Sequence, residues 1–179
     1  DDAFQSFGDK FIPPSEIQRL RLEVKQAPPP TGSRYIWGQH IDEVRIEAAA
    51  PDTAPLLIWE EPEQWGAYII AGHPWGSSSP NATEWVAQVY RAWPDQLVQC
   101  AEYAADEGTT YEFAWLLIHL AGAYSLSAPP FLICEANGPG YAVMKQIQLL
   151  RDHGYGLSAG ARTSGLHDFL GTFKHYFYV

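Results

Sequence analysis

The chain has 179 residues and a mass of 20.0 kDa, with 46% hydrophobic and 14% aromatic residues and a formal net charge of −10. That length suits one domain with a real core, and the composition excludes an intrinsically disordered chain. A sequence pI of about 4.9 argues against an indiscriminate nucleic-acid coat, because phosphate binding rests on Lys and Arg.

The chain starts at Asp1, and no basic stretch precedes an apolar one. No signal peptide is expected, and the start reads as that of a fragment or a processed chain. Residues 1–33 read as an extended arm and linker. Pro13-Pro14-Ser15-Glu16 is a stop followed by a cap, so residues 15–25 predict a short helix with Ile17, Leu20 and Val24 on one face. The run Pro28-Pro29-Pro30-Thr31-Gly32-Ser33 reads as a linker, stiff and then flexible, and sets a boundary before a domain at 34–179.

Strands are expected at 44–48, 56–59 and 67–72, the last being the strongest. After the turn at 76–81 come strands at 85–90 and 97–103, joined by a hairpin connection at 93–96. This part reads as an antiparallel meander. The period then changes. Thr109 and Thr110 with Glu112 open a helix over 111–124, in which Phe113, Leu116, Leu117 and Leu120 recur at helical spacing. Residues 131–134 read as a buried strand, and a second helix runs from about 141 to 153, stopped by Gly154. An aromatic strand at 176–179 ends the chain. The succession β-β-β-α-β-α-β is an α/β plan: a mixed sheet with helices packed on it and an N-terminal arm. The longest apolar stretches fall far short of a membrane span.

Charge is unevenly spread. Residues 1–138 hold seven Lys/Arg against nineteen Asp/Glu, whereas 139–179 hold Lys145, Arg151, Arg162 and Lys174 against only Asp152 and Asp168. The second stretch is net basic and is where an anionic partner would be met. Cys100 and Cys134 show no zinc-ligand spacing and read as two buried thiols in a reducing compartment. No phosphate-binding GxxxxGK[ST] loop is present in the sequence, so ATP hydrolysis is not expected of this chain.

Sites in open α/β sheets lie beyond the carboxyl ends of parallel strands. Two polar residues are expected there: His73 after the strand at 67–72, and Glu135 after the strand at 131–134. If those strands are neighbours, the two side chains meet at one rim. Each has a bland alternative: Glu135 capping the following helix or pairing with an Arg, and His73 bonding at the rim without acting.

The stretch Glu135-Ala136-Asn137-Gly138-Pro139-Gly140, between a strand and a helix that ends in Gly154-Tyr155, resembles the nuclease domain of bacteriophage terminase large subunits. So do Asp2-Ala3-Phe4-Gln5-Ser6-Phe7-Gly8, Leu57-Ile58-Trp59-Glu60, Tyr68-Ile69-Ile70-Ala71-Gly72, Phe113-Ala114-Trp115 and His119-Leu120-Ala121-Gly122-Ala123-Tyr124. The likeness covers nearly the whole chain in order. It implies an RNase H-like fold, a missing ATPase domain before the arm, and metal-dependent cleavage of double-stranded DNA during genome packaging. It also implies two divalent cations, Mg²⁺ or Mn²⁺, held by carboxylates. The implied partners are DNA, the terminase ATPase domain, the small terminase subunit and the portal, with no membrane. The implied setting is the host cytoplasm, without secretion.

By this resemblance Glu135 is a metal-binding acid. The family's first Asp is replaced by His73, a nitrogen ligand that suits Mn²⁺ or Zn²⁺ better than Mg²⁺. A second family Asp falls near Thr83, which makes Glu84 an auxiliary metal ligand, and the third acid lies beyond Val179, so the domain reads as incomplete. Two readings stay open: an endonuclease using Glu135 and His73, and a catalytically silent module that contacts DNA through Lys145, Arg151, Arg162 and Lys174.

Overall fold

A computed structural model describes residues 13–74, 85–92, 97–126, 128–136 and 138–159. The described chain is a mixed α/β structure: one seven-stranded, mostly antiparallel open sheet and three α-helices. Among the described residues, no helix is long and apolar enough to cross a membrane.

In chain order the elements are α1 (Pro14–Gln26), β1 (Thr31–Ile36), a 3-10 turn (Ile41–Glu43), β2 (Arg45–Ala49), β3 (Leu56–Ile58) and β4 (Tyr68–Pro74). There follow β5 (Trp85–Ala92), β6 (Leu97–Ala105), α2 (Thr110–Ala123), β7 (Phe131–Cys134) and α3 (Pro139–His153). The sheet order is β2-β1-β3-β6-β5-β4-β7. Only the last step, β4 against β7, is parallel. A parallel neighbour needs a crossover, and here β5, β6 and α2 lie between the two strands in sequence.

Two sequence expectations are corrected. The end of the expected linker, Thr31 to Ser33, is the start of β1, which pairs with both β2 and β3. Gly32 explains why it was hidden. A Cβ there would stand 2.5 Å from the Ala49 carbonyl oxygen, so a residue that looks like linker glycine is required by close strand contact. The five expected strands also do not form one continuous meander. β4, β5 and β6 pair in succession, but β3 lies beside β6 rather than β4. The strand expected at 176–179 lies outside the described residues.

The core forms where α2 covers the sheet. Phe113 to Ile118, Leu120 and Ala121 are all buried, so α2 is apolar on every side, as befits a helix with neighbours all round. It packs on β4, β5 and α3. Thr109 and Glu112 start it by a reciprocal cap: the Glu112 N–H donates to Thr109 Oγ1 at 3.2 Å, and the Thr109 N–H donates to Glu112 Oε2 at 2.8 Å. From α3, Val143, Ile147 and Leu150 are buried, the three positions that the helical spacing singles out. The helix stops at Gly154, whose φ of +62° is the left-handed conformation that glycine adopts cheaply. None of the described side chains of α1 is buried.

Candidate functional site at the β4–β7 rim

The rim is built by the parallel pairing of β4 with β7. Ile69 to Gly72 lie opposite Phe131 to Cys134 residue by residue, and the Glu135 N–H donates to the Gly72 carbonyl at 3.2 Å. That bond carries the ladder one step past β7 and sets Glu135 beside His73. Alternation then fixes the face. Gly72 lies under α2, where an added Cβ would meet Leu117 at 3.0 Å, and Pro74 is buried. His73, between them, turns to the sheet face away from α2 and α3. The sequence reading placed His73 after its strand, but it is the next-to-last residue of β4.

His73 Nδ1 and Glu135 Oε2 are paired, with the two side chains 47% and 37% exposed. A histidine that contacts a carboxylate through one ring nitrogen donates an N–H to it in either protonation state. Glu135 thus has His73 as an ion-pair partner. On the opposite, core-facing side of β7, the thiol of Cys134 is pushed up to about 11 by burial and then by the negative charge of Glu135.

Behind the rim, α3 presses on Glu135 from the other side. A Cβ on Gly140 would stand 1.6 Å from the Glu135 carbonyl oxygen and 3.2 Å from Pro74 Cγ. Gly138, at the N-cap, has φ of +50°, and Pro139 follows at the first helical positions. A glycine is thus needed for the turn and a second for the close approach. This is why α3 begins at Pro139, earlier than its apolar spacing alone predicts.

A site for two divalent cations needs several carboxylate oxygens converging on one point. At this rim one carboxylate meets one imidazole, and the two engage each other. Among the described residues, no group of three or more His, Cys, Asp or Glu could hold a metal ion. The described donor set does not fit a two-cation centre. Glu84, expected as an auxiliary ligand, lies outside the described residues, as do Arg162 and Lys174.

The remaining expected DNA contacts are not equivalent. Lys145 is exposed on α3. Arg151 is mostly buried and held by Asp152, Nε to Oδ1 at 2.8 Å. Six residues apart on one helix, they project about 120° from each other. They do not make one basic stripe.

Two features escaped the sequence reading, one near the rim and one elsewhere. On the sheet, Gln88 Nε2 and Gln99 Nε2 both donate to Glu102 Oε2, at 2.9 and 3.0 Å, and Tyr90 donates to Gln88 Oε1 at 2.8 Å. Gln88 is opposite Ala71 and Val86 is opposite His73, so this polar ladder lies two residues along β5 from the rim and on the same face. The alternation of Val86, Gln88 and Tyr90 with buried Trp85, Ala87 and Val89 was its available signal. The second feature is a cavity of about 480 Å³ between Gln39, His40, Tyr111, Trp115, Tyr155 and Gly156. Its walls come from three separate parts of the chain, which no local pattern joins. No protein-family model matches this chain, and no curated protein is significantly similar to it.

Proposed function

We propose that this chain is the RNase H-like nuclease portion of a viral DNA-packaging terminase, and that it serves as a module that contacts double-stranded DNA without cutting it. The observation that carries this reading is the His73–Glu135 pair. At the position where the resemblance calls for an acid, the chain has an imidazole bonded to the remaining acid. The stretch β4-β5-β6-α2-β7-α3 supports the fold reading, with β1, β2 and β3 extending the same sheet beyond it. The partners that follow are duplex DNA, the terminase ATPase domain, the small subunit and the portal, in the host cytoplasm.

A second reading, metal-dependent endonucleolytic cleavage, has one observation in its favour. Glu135 is partly exposed at the C-terminal end of β7, beside the end of β4, the place where open α/β sheets put their chemistry. In that form Glu135 and His73 would hold Mg²⁺ or Mn²⁺.

The two readings separate in one pair of assays. Binding of a short duplex is followed across a salt series, and supercoiled plasmid is incubated with Mg²⁺ or Mn²⁺. We expect binding that weakens as salt rises and a plasmid left intact. Lys145→Ala is expected to lower the affinity more than Arg151→Ala, because Asp152 already engages Arg151. Nicking that Glu135→Ala abolishes would reinstate the endonuclease, and binding indifferent to salt would remove the DNA role.

A further inference from the structure

We propose that the outer edge of β2 is a self-association surface: two copies of this chain join β2 to β2, antiparallel about a two-fold axis at Ile46, so that their sheets run on as one. The inference stands apart from the DNA reading and uses the edge of the sheet far from the rim.

Four observations carry it. First, β2 is the end strand of the sheet, and among the described residues it pairs with β1 alone. On its far side, alternate residues present backbone N–H and C=O groups with no strand to receive them. Second, the edge is open. Arg45 to Ala48 are all exposed, and Ile46 is 54% exposed. Third, its apolar and charged side chains are sorted by face. Ile46 stands opposite Tyr35, whose ring lies 6.0 Å from that of His119 on α2, and directly opposed residues share a face. Ile46 is therefore on the helix side of the sheet, with Val44 and Ala48, while Arg45 and Glu47 are on the other side. Fourth, the charges on either side of Ile46 are opposite in sign, and among the described residues neither is held in an ion pair.

The charge pattern selects one register. A two-fold axis perpendicular to the sheet keeps the helices of both copies on one side and opposes residues of the same face. Centred on Ile46, it sets Ile46 against Ile46, Val44 against Ala48, and Arg45 of each copy against Glu47 of the other. Centred on Arg45 or on Glu47, it sets like charges face to face. Opposite charges directly across a strand pair stabilise it, and like charges do the reverse. Glu47 also stands opposite Arg34 of its own β1, so each Glu47 of the dimer lies between two arginines. Each copy offers one such edge, so the contact closes at two copies. A single pair of strand edges buries less than the about 1,600 Å² of a standard stable interface, which makes the dimer a weak one.

Sedimentation equilibrium of the full 179-residue chain, over a wide range of protein concentration at low and high salt, tests this. The wild type should dimerise reversibly, and salt should loosen the dimer. Arg45→Glu and Glu47→Arg each place like charges at both crossings, and each alone should weaken association about tenfold or more. An equimolar mixture of these two variants should associate again as a heterodimer, because every crossing then joins opposite charges. Circular dichroism checks that the variants keep their fold. Should either single variant unfold, the double variant Arg45→Glu with Glu47→Arg, which only exchanges the two signs, should dimerise as the wild type does. A wild type that stays monomeric throughout, or a dimer that both folded single variants leave intact, overturns the proposal. So does a mixture no more associated than its two components.

Discussion

His119 shows how one side chain joins separate parts of this molecule. It lies on α2, sits tilted against Tyr35 of β1 at 6.0 Å between ring centres, and shares a 3.0 Å hydrogen bond with the Ile41 carbonyl through Nε2. Burial lowers its pKa below the usual value, and the bond to Ile41 offsets this only in part. A histidine whose folded pKa lies below its unfolded value binds more protons when unfolded. Stability is then fully present above the unfolded pKa of about 6.5 and is lost as pH falls from there towards the folded pKa. His119→Gln is expected to flatten urea midpoints over that window, which a pH series of denaturation curves measures. At this scale the sequence reading went far at the rim, because Glu135 and His73 stand at strand ends, where an isolated polar residue after an apolar run is conspicuous. It missed Gln88 and Glu102, whose meaning lies in a cross-strand register that only the folded sheet supplies.

The helices and strands that carry strong local signals are the ones that could be read. The reciprocal cap of Thr109 and Glu112 begins α2, and β7 spans the expected run of four apolar residues. What failed was the reading of glycine and proline as punctuation. Gly32 lies inside β1, and Gly140 lies inside α3 because the helix must approach the Glu135 carbonyl closely. Both are contacts between elements, which no window of sequence contains. Gly140→Ala is therefore expected to push α3 away from β7 and to cost about 2–3 kcal/mol, in the range of overpacking in a dense interior. Denaturant unfolding would measure the loss, and exchange of the Glu135 amide proton should speed up as its bond to Gly72 weakens. A change below about 0.5 kcal/mol, the size of an ordinary surface substitution, would show that the helix shifts at no cost.

Across the whole molecule, charge and topology point to the same place. The acidic surplus belongs to residues 1–138, and α3 opens the net-basic remainder directly behind Glu135. The sheet adds β1, β2 and β3 on the far side of β6, leaving β4 and β7 to make the rim. Overall architecture was legible as α/β because the switch from period 2 to period 3.6 is plain in the sequence. The neighbours of β3 were not, since strands this short pair by long-range fit rather than by local pattern. The function proposed for this chain depends on His73 and Glu135 meeting across that parallel step. A double-mutant cycle of His73→Ala and Glu135→Ala, read by denaturant unfolding, tests this most directly. For a partly exposed pair, the expected coupling is about 0.5 kcal/mol, screened further by salt. Additive effects of the two substitutions at low salt would contradict the meeting, and with it the rim.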